Sequence, residues 1–533
     1  MNIKKNIPEI SSIKKGALLF ISTIVIQYIT YAQSDLKADA ANYIFVQDKS
    51  ASIGGTTFLK DSIRIHLLPI VNKIQWVQDH PYNWNDGAMI PAKGFQQFFR
   101  AGVVATWKNV ELQIAPEWIS AQNRSFEQLS EGLDQVHWRD YYRFYNFIEL
   151  PQKMGDAQYR KVWWGQSALR WKVKNWQASL STENKWWGPS ERNALFLSTT
   201  AAGFAHVSFQ NQQPLQTKWG GWNVEWITGT PINGGWTPPD IYKTFRANPL
   251  YVPKPNRDRL ITGLNVNFTP KAIPNLVVGF EQMYMQYSSD MLRIQDYIPI
   301  KSPISRWPDD DPRKPILLTG FYFNYKMPAS KASIYSEWGW NLQQTTLRNW
   351  IIQPDKGFAG TIGVKKEMTL NTSSYLELIG EMTQLQLLTR AEQYTTDVPP
   401  SWYLGSSVRQ GFTTDGQLIG AGVGPGGSSQ MVELNYRKGK QRLGINVERR
   451  VHNNDFYEYT FLNSLDFRRF YVDFSTTLKV DLSYKKWTMS PRLSYIRTNN
   501  YNWWLYQPQT ALYFIPGRDI AQWIAQCNFI YRF

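Results

Sequence analysis

Hydrophobic and polar residues alternate with period two through most of the chain, the pattern of strands with one apolar and one polar face. From Phe470 to Tyr484 one face reads Phe470, Val472, Phe474, Thr476, Leu478, Val480, Leu482 and Tyr484. The other face reads Tyr471, Asp473, Ser475, Thr477, Lys479, Asp481 and Ser483. Such a run is far longer than the strands of about 5–6 residues that soluble sandwiches use. It fits a tilted strand that crosses a bilayer with lipid on one face and water on the other. Trp176, Ala178, Leu180 and Thr182 against Gln177, Ser179, Ser181, Glu183 and Lys185 repeat the pattern, as do Val432, Leu434 and Tyr436 against Glu433, Asn435 and Arg437. Near the end, Trp523, Ala525, Cys527, Phe529, Tyr531 and Phe533 occupy every second position. An apolar face ending on Phe is the kind of strand that the outer-membrane barrel-insertion machinery reads, which makes that machinery an expected partner.

Turn signals and long connections alternate along the chain. Short turns fall at Lys108-Asn109, Lys174-Asn175, Thr269 to Pro274, Pro328 to Ser330, Thr369 to Thr372, Lys438 to Lys440 and Lys485-Lys486. Longer segments lie between them at 120–165, 187–194, 230–257, 288–314, 342–357, 387–429, 452–466 and 499–519. Outer-membrane barrels have short periplasmic turns and longer external loops. With the last strand running inward, the count goes back to an outward strand at Ser62 to Trp76. The expectation is an all-β, transmembrane antiparallel β-barrel of about eighteen strands over residues 62–533, with long external loops. The stretch 195–209 is read as a strand, with Gly203 as a point of bulging or breakage.

An apolar stretch, Gly16 to Ile29, follows Lys14-Lys15 and precedes small residues at Thr30-Tyr31-Ala32. This predicts a signal peptide over 1–32, cleaved near Ala32, and hence export to the outer membrane. Residues 33–61 then form a short periplasmic segment, too small for a globular plug. Any plug must come from loops folding inward, and 120–165 and 387–429 are the candidates. The second carries eight glycines between Gly405 and Gly427, which predicts mobility.

Composition agrees with this architecture. The 533 residues include 24 Trp, 29 Tyr and 27 Phe, yet only 19% are charged. The lone Cys527 excludes a disulfide framework and a multi-cysteine metal site. The predicted leader holds Lys4, Lys5, Lys14, Lys15 and Glu9, so its removal lowers the formal charge of +16 by three. The remaining positive charge is scattered, which suits acidic polysaccharide or lipopolysaccharide and outer-membrane lipid rather than nucleic acid.

Catalytic chemistry finds little support. No GxSxG elbow, HExxH or phosphate-binding loop is present, and no cofactor is implied. The histidines show no metal-ligand spacing. His206 and Ser208 share a strand face, like the His-x-Ser pair of outer-membrane phospholipases, but two ordinary side chains also alternate this way. Asp309-Asp310-Asp311 offers carboxylates for calcium, although a solvated loop reads the same. Glu183, Glu337, Glu377, Glu381 and Glu433 are read as lumen carboxylates in internal ion-pair networks rather than acid catalysts.

Several segments resemble the Wzi-type capsule assembly family of outer-membrane proteins. They are STENKWWGPSERNALFLS from Ser181, AAGFAHVSF from Ala201, HPYNWNDGAMIPAKGFQ from His80, AGVVATWKNVELQIAPEW from Ala101, and NNYNWW from Asn499. The resemblance implies an eighteen-stranded barrel that holds capsular polysaccharide or exopolysaccharide at the cell surface through external loops. It also implies a helical bundle ahead of the barrel, for which residues 33–61 leave too little chain.

Sugar rings stack their C–H faces on Trp and Tyr, and their polar groups need amide, carboxylate or guanidinium partners. Three regions combine these residues. They are Tyr82 to Asp86, then Trp186, Trp187, Arg192 and Asn193, then Asn499 to Trp504. The candidate polysaccharide-binding residues among them are Trp84, Asn85, Asp86, Trp186, Trp187, Arg192, Asn193, Tyr501, Trp503 and Trp504. For Trp186, Trp187, Trp503 and Trp504 the competing role is the aromatic girdle at the outer bilayer interface. The expected function is non-catalytic anchoring of surface polysaccharide by a monomeric barrel, and the alternative is a porin-like channel for oligosaccharides or ions.

Overall fold

The computed structural model describes residues 63–533 except 292–293, 299, 302–310, 342–346, 353, 356, 388–400, 462–466 and 506–517. The expected leader and the segment 33–61 lie outside the described residues. Eighteen antiparallel strands form one closed barrel. The first half comprises β1 (Ile63–Val77), β2 (Gly94–Trp107), β3 (Val110–Ile114 and Glu117–Ala121), β4 (Tyr159–Trp163 and Ala168–Val173), β5 (Trp176–Ser181), β6 (Ala205–Asn211), β7 (Gly220–Thr230), β8 (Arg259–Pro270) and β9 (Leu276–Tyr287). The second comprises β10 (Ile316–Met327), β11 (Ala332–Asn341), β12 (Phe358–Asn371), β13 (Ser374–Gln384), β14 (Ser428–Lys438), β15 (Gln441–Val451), β16 (Val472–Tyr484), β17 (Trp487–Asn499) and β18 (Ile520–Tyr531). Each strand pairs with its sequence neighbours, and β1 closes the ring on β18 from Ile70↔Tyr531 to Val77↔Ile524. Closure pairs the first strand with the last, so the wall has no unpaired edge strand to template aggregation.

The alternation sets which face turns where. On β16, Phe474, Leu478 and Leu482 are exposed on the outside, while Asp473, Ser475, Lys479 and Asp481 are buried inside. On β14, Val432 and Leu434 face out and Glu433 and Asn435 face in. Exposed Trp107, Leu112, Trp171, Leu180, Phe209, Phe321, Ile362 and Trp523 extend this apolar band around the barrel. β1 has 15 residues, which at about 3.4 Å each and a tilt near 45° span a hydrocarbon layer. No described helix is long and apolar enough to cross a membrane.

Breaks in the pattern have local causes. Pro116 cannot donate to the ladder, so β3 is interrupted after Ile114, and β4 breaks opposite it between Trp163 and Ala168. The gap is bridged by Gln166 N–H donating to the Ala115 carbonyl at 3.0 Å and Ala115 N–H donating to Ser167 Oγ at 2.9 Å.

Tight turns join strands at one rim, and the connections at the other rim are longer. One tight-rim connection, 212–219 between β6 and β7, had no turn signal in the alternation. Among the described residues three α-helices lie in the longer connections, the short Leu347–Ile352 and the two that bear on the site. α1 (Gln135–Tyr145) is capped by the Asp134 carboxylate, which accepts from the N–H groups of Val136 and His137. α2 (Asn454–Thr460) is capped by Asn453, whose side chain accepts from Phe456 N–H. Phe144 of α1 meets Phe456 of α2 edge to face, with ring centroids 5.4 Å apart. Around this pair the long connections pack with inward-facing strand residues such as Ile227, Ile261, Met283 and Leu318 into an apolar core that includes Trp138, Tyr142, Trp187, Leu195, Phe196, Trp402, Tyr403, Phe412, Tyr457 and Trp503. The Gly-rich segment expected to be mobile is part of it. Residues 401–404 and 410–428 are buried throughout, and 388–400 lie outside the described residues.

Candidate functional site

The segment read as a short external loop at 187–194, followed by a strand from 195, has a different structure. β5 ends at Ser181 and β6 begins at Ala205, so the whole of 182–204 is a connection. Gly203 marks the break, because a Cβ there would lie 2.0 Å from the Thr182 carbonyl oxygen. The segment packs against inward-facing side chains of the wall. Glu337 of β11 accepts from the N–H groups of Ser190 at 3.0 Å and Leu195 at 2.9 Å. Glu381 of β13 accepts from the N–H groups of Glu191 at 2.7 Å, Arg192 at 3.0 Å and Asn193 at 2.8 Å, and from the Tyr335 hydroxyl at 2.9 Å. Two buried carboxylates thus latch one loop by its backbone, and these charge-assisted bonds are the strong kind. Gly188 is required, since its φ is +82° and a Cβ would stand 1.9 Å from Glu337 Oε1.

Most of the predicted sugar readers serve this inward packing. Trp187 and Asn193 are each 1% exposed, and Trp84 and Asn85 are also buried. Trp187 Nε1 donates to Glu225 of β7 at 2.9 Å, and Trp186 Nε1 donates to the Ser190 carbonyl at 3.0 Å. Asn85 Nδ2 donates to the Arg192 carbonyl at 2.8 Å, while Asn85 Oδ1 accepts from Thr200 Oγ1 at 2.9 Å. Asp86 is ion-paired with Lys73 of β1 and accepts from Trp84 N–H at 3.2 Å. Arg192 pairs with Glu448 of β15 at 2.7 Å. Asn193 Oδ1 accepts from Val423 N–H at 3.2 Å. The external-loop placement of Arg192 is therefore corrected, and neither Trp186 nor Trp187 stands in a lipid-facing girdle. The WWGP segment runs inward because wall carboxylates accept from its backbone N–H groups, from Trp187 and from Arg192.

The third predicted group meets the first at a cavity of about 310 Å³ among the long connections. Tyr501 and Trp503 line it together with His80, Tyr82 and Asn83 from the connection after β1. The Tyr501 ring lies 4.5 Å from the His80 ring and 5.5 Å from Tyr471, and Trp503 lies 4.9 Å from Phe456 and 5.5 Å from Tyr471. Asn500, at φ +48°, turns the chain here, and its amide oxygen accepts from Leu505 N–H at 2.7 Å. Tyr501 is fixed by donating to the Glu127 carbonyl at 2.6 Å. Trp504 points elsewhere, with the Arg518 guanidinium 3.6 Å from its ring centroid.

Other lining residues carried no signal in their spacing. Tyr141 and Phe144 come from α1, Phe456 from α2, and Arg450, His452 and Tyr471 flank the β15–β16 connection. His452 stacks on Tyr471 at 3.8 Å and contacts Asp473 through Nε2 at 2.7 Å. Burial pushes the His80 imidazole below its ordinary range, and burial outweighs the pull of Asp473 on His452.

The remaining candidates for chemistry separate. His206 Nδ1 contacts the Phe204 carbonyl at 2.8 Å and Ser208 Oγ lies 2.6 Å from Ser179 Oγ, so the two do not form a nucleophile–base pair. Asp311 pairs with Arg313 at 3.0 Å, while Asp309 and Asp310 lie outside the described residues. Among the described residues no cluster of His, Cys, Asp or Glu is arranged to hold a metal ion. Glu183, just past the end of β5, pairs with Arg170, Glu377 with Lys365 and Arg437, and Glu433 with Lys479, as expected, whereas Glu337 and Glu381 take up backbone N–H groups rather than ion pairs.

No family model matches the chain, and no curated protein matches it. Among solved structures it is similar to Wzi of Escherichia coli, described as an outer membrane protein involved in group 1 capsule assembly and a carbohydrate-binding β-barrel. The identity is 12%, the TM-score 0.53, and the match covers 87% of this chain and 84% of Wzi. OccAB2 of Acinetobacter baumannii matches at 9% identity and TM-score 0.41, over 90% of this chain and 99% of that one. OpdK of Pseudomonas aeruginosa matches at 8% identity and TM-score 0.39, over 89% and 99% respectively. The resemblance to Wzi-type barrels is thus present in three dimensions: this chain has an eighteen-stranded outer-membrane-type barrel fold.

Proposed function

We propose that this chain is an outer-membrane barrel that holds surface polysaccharide at its long-connection rim and performs no chemistry on it. The observation that carries this reading is the cavity where Tyr82, Tyr471, Tyr501 and Trp503 present rings beside the amides of Asn83 and Asn502. Stacking faces next to amide groups are what a pyranose requires. The volume of about 310 Å³ is at the small end for ligand sites, which suits one or two sugar residues. The carbohydrate binding described for Wzi supports the same class of ligand. In this reading Tyr501 and Trp503 touch the glycan. Trp84, Asn85, Asp86, Trp186, Trp187, Arg192 and Asn193 hold the plug that positions them, and Trp504 stands at the rim. The exposed apolar band faces outer-membrane lipid, and the long connections lie on the outside.

The test compares cell-associated with shed polysaccharide in cells that carry or lack this gene, with complementation at equal barrel abundance. Retention that depends on the protein, and that falls in a Trp503→Ala variant, supports the reading. Unchanged retention after deletion sinks it. A porin-like channel would instead show steady conductance in a planar bilayer, which the latched 182–204 segment argues against.

A further inference from the structure

Among the described residues, four polar atoms at this cavity have settled chemistry and no hydrogen-bond partner within 3.5 Å, while a fifth, His80 Nε2, could donate or accept. The four are Asn502 Nδ2, Trp503 Nε1, Arg450 Nε and Asn83 Oδ1. Asn502 and Trp503 are 3% and 6% exposed. Buried polar groups are nearly always paired, so such a cluster around one cavity marks where a ligand is completed. The balance among them is informative. Three are N–H donors and one is an acceptor. The orientation of each amide is fixed by its other half. Asn502 Oδ1 accepts from Gln152 Nε2 at 3.3 Å, and Asn83 Nδ2 donates to the Met89 carbonyl at 2.9 Å. Arg450 is held by Nη2 donating to the carbonyls of Gly422 at 3.0 Å and Val423 at 3.2 Å, which leaves Nε. No described aspartate or glutamate lines the cavity. Asp473, behind the wall, is taken up by His452 and Thr498.

A neutral sugar offers hydroxyls, each of which both donates and accepts. A carboxylate offers acceptors only, and it matches a lining rich in donors that includes a guanidinium. We propose that the cavity binds a carboxylate-bearing pyranose, a hexuronate residue, with its ring against Tyr501 and Trp503 and its carboxylate toward Asn502 Nδ2, Trp503 Nε1 and Arg450 Nε. This rests on the carbohydrate reading above and names its ligand class. The same carboxylate could sit on a uronate or on an acidic ketal substituent of a neutral sugar, and the probes separate the two.

The experiment is calorimetric titration of the full chain in detergent. The probes are digalacturonate, diglucuronate, their methyl esters, the matching neutral disaccharides and a pyruvylated galactoside. At least one acidic probe should bind roughly tenfold or more tightly than its ester and neutral forms. Trp503→Phe keeps the ring and removes the Nε1 donor, so it should lower acid affinity severalfold while leaving any neutral binding unchanged. Asn502→Ala should act in the same direction. Preference for the pyruvylated probe alone overturns the hexuronate assignment but keeps the carboxylate. Equal affinity for acid, ester and neutral forms overturns the carboxylate proposal and leaves the carbohydrate reading standing. Binding of none of the probes overturns both.

Discussion

The guanidinium of Arg192 lies 4.1 Å from the centroid of the Trp84 ring, and Trp84 Nε1 donates to the Arg192 carbonyl at 3.4 Å. Arg450 packs over the same ring at 4.6 Å. One tryptophan from the first long connection therefore contacts two cations, one from the inward segment and one from the barrel wall. Each such contact is worth about 0.5–2 kcal/mol, depending on how far water is excluded. Two segments that sequence chemistry suggests as separate sugar readers are thus parts of one packed assembly beside the cavity.

Arg192→Ala removes the partner of Glu448, whose side chain is 1% exposed. An abandoned buried carboxylate costs on the order of 3 kcal/mol, which is about a hundredfold in local opening. The barrel should remain folded and heat-resistant on gels, while proteolytic nicking within 182–204 accelerates. Arg192→Lys should be intermediate, because an ammonium cannot reproduce the fork that meets Glu448 through Nε and Nη2. Wild-type nicking rates in Arg192→Ala would show that the pair does not hold the plug.

Glu381→Ala leaves the N–H groups of Glu191, Arg192 and Asn193 without their shared acceptor. At about 1–3 kcal/mol for each unsatisfied group, the latch should fail. Planar-bilayer recordings should show steady conductance in the variant and little or none in the wild type. Glu381→Gln retains one acceptor oxygen and should flicker between the two levels. Indistinguishable traces would mean that the lumen is closed by something else.

Leu478→Arg tests the outward face of β16, where Leu478 is 49% exposed. A cation at mid-strand on the lipid side should cost about 2–4 kcal/mol of insertion, read as a lower midpoint in urea refolding into vesicles. Ser475→Arg on the lumen side should disturb packing without this dependence on bilayer depth. An equal effect of both in detergent and in vesicles would contradict the assignment of faces.

Lys254 donates to the Tyr145 carbonyl at 2.6 Å, and burial lowers its pKa from 10.5 to about 7. The unfolded chain holds this proton up to about pH 10.5, while the folded chain releases it above about 7. The unfolded state therefore binds more protons in that window, and stability rises with pH across it. Melting of the packed connections, followed by near-ultraviolet circular dichroism, should shift upward between pH 7 and 10. Lys254→Met should flatten the rise, and an unchanged slope in that variant would assign the dependence to other groups.

Period-two alternation determined the barrel by itself. When every second residue must meet lipid and the others must meet a polar interior, the strand, its length and its facing are local properties. This is why Phe474, Leu478 and Leu482 could be placed outside and Glu433 and Lys479 inside before any fold was known. The plug was not local in this sense. Trp187, Arg192 and Asn193 look like exposed recognition residues because Trp, Arg and Asn serve equally well at a sugar surface and in a buried polar network. What assigns them is the position of Glu225, Glu381 and Glu448, which lie between 38 and 256 residues away in the chain for the pairs they form. Likewise Tyr501 and Trp503 were legible as candidates, but Tyr141, Phe456, Arg450 and His452 join them only because six connections converge on one rim. Strand pattern is set by each residue's immediate neighbours and solvent, whereas a site assembled from loops is set by closure of the barrel that brings those loops together.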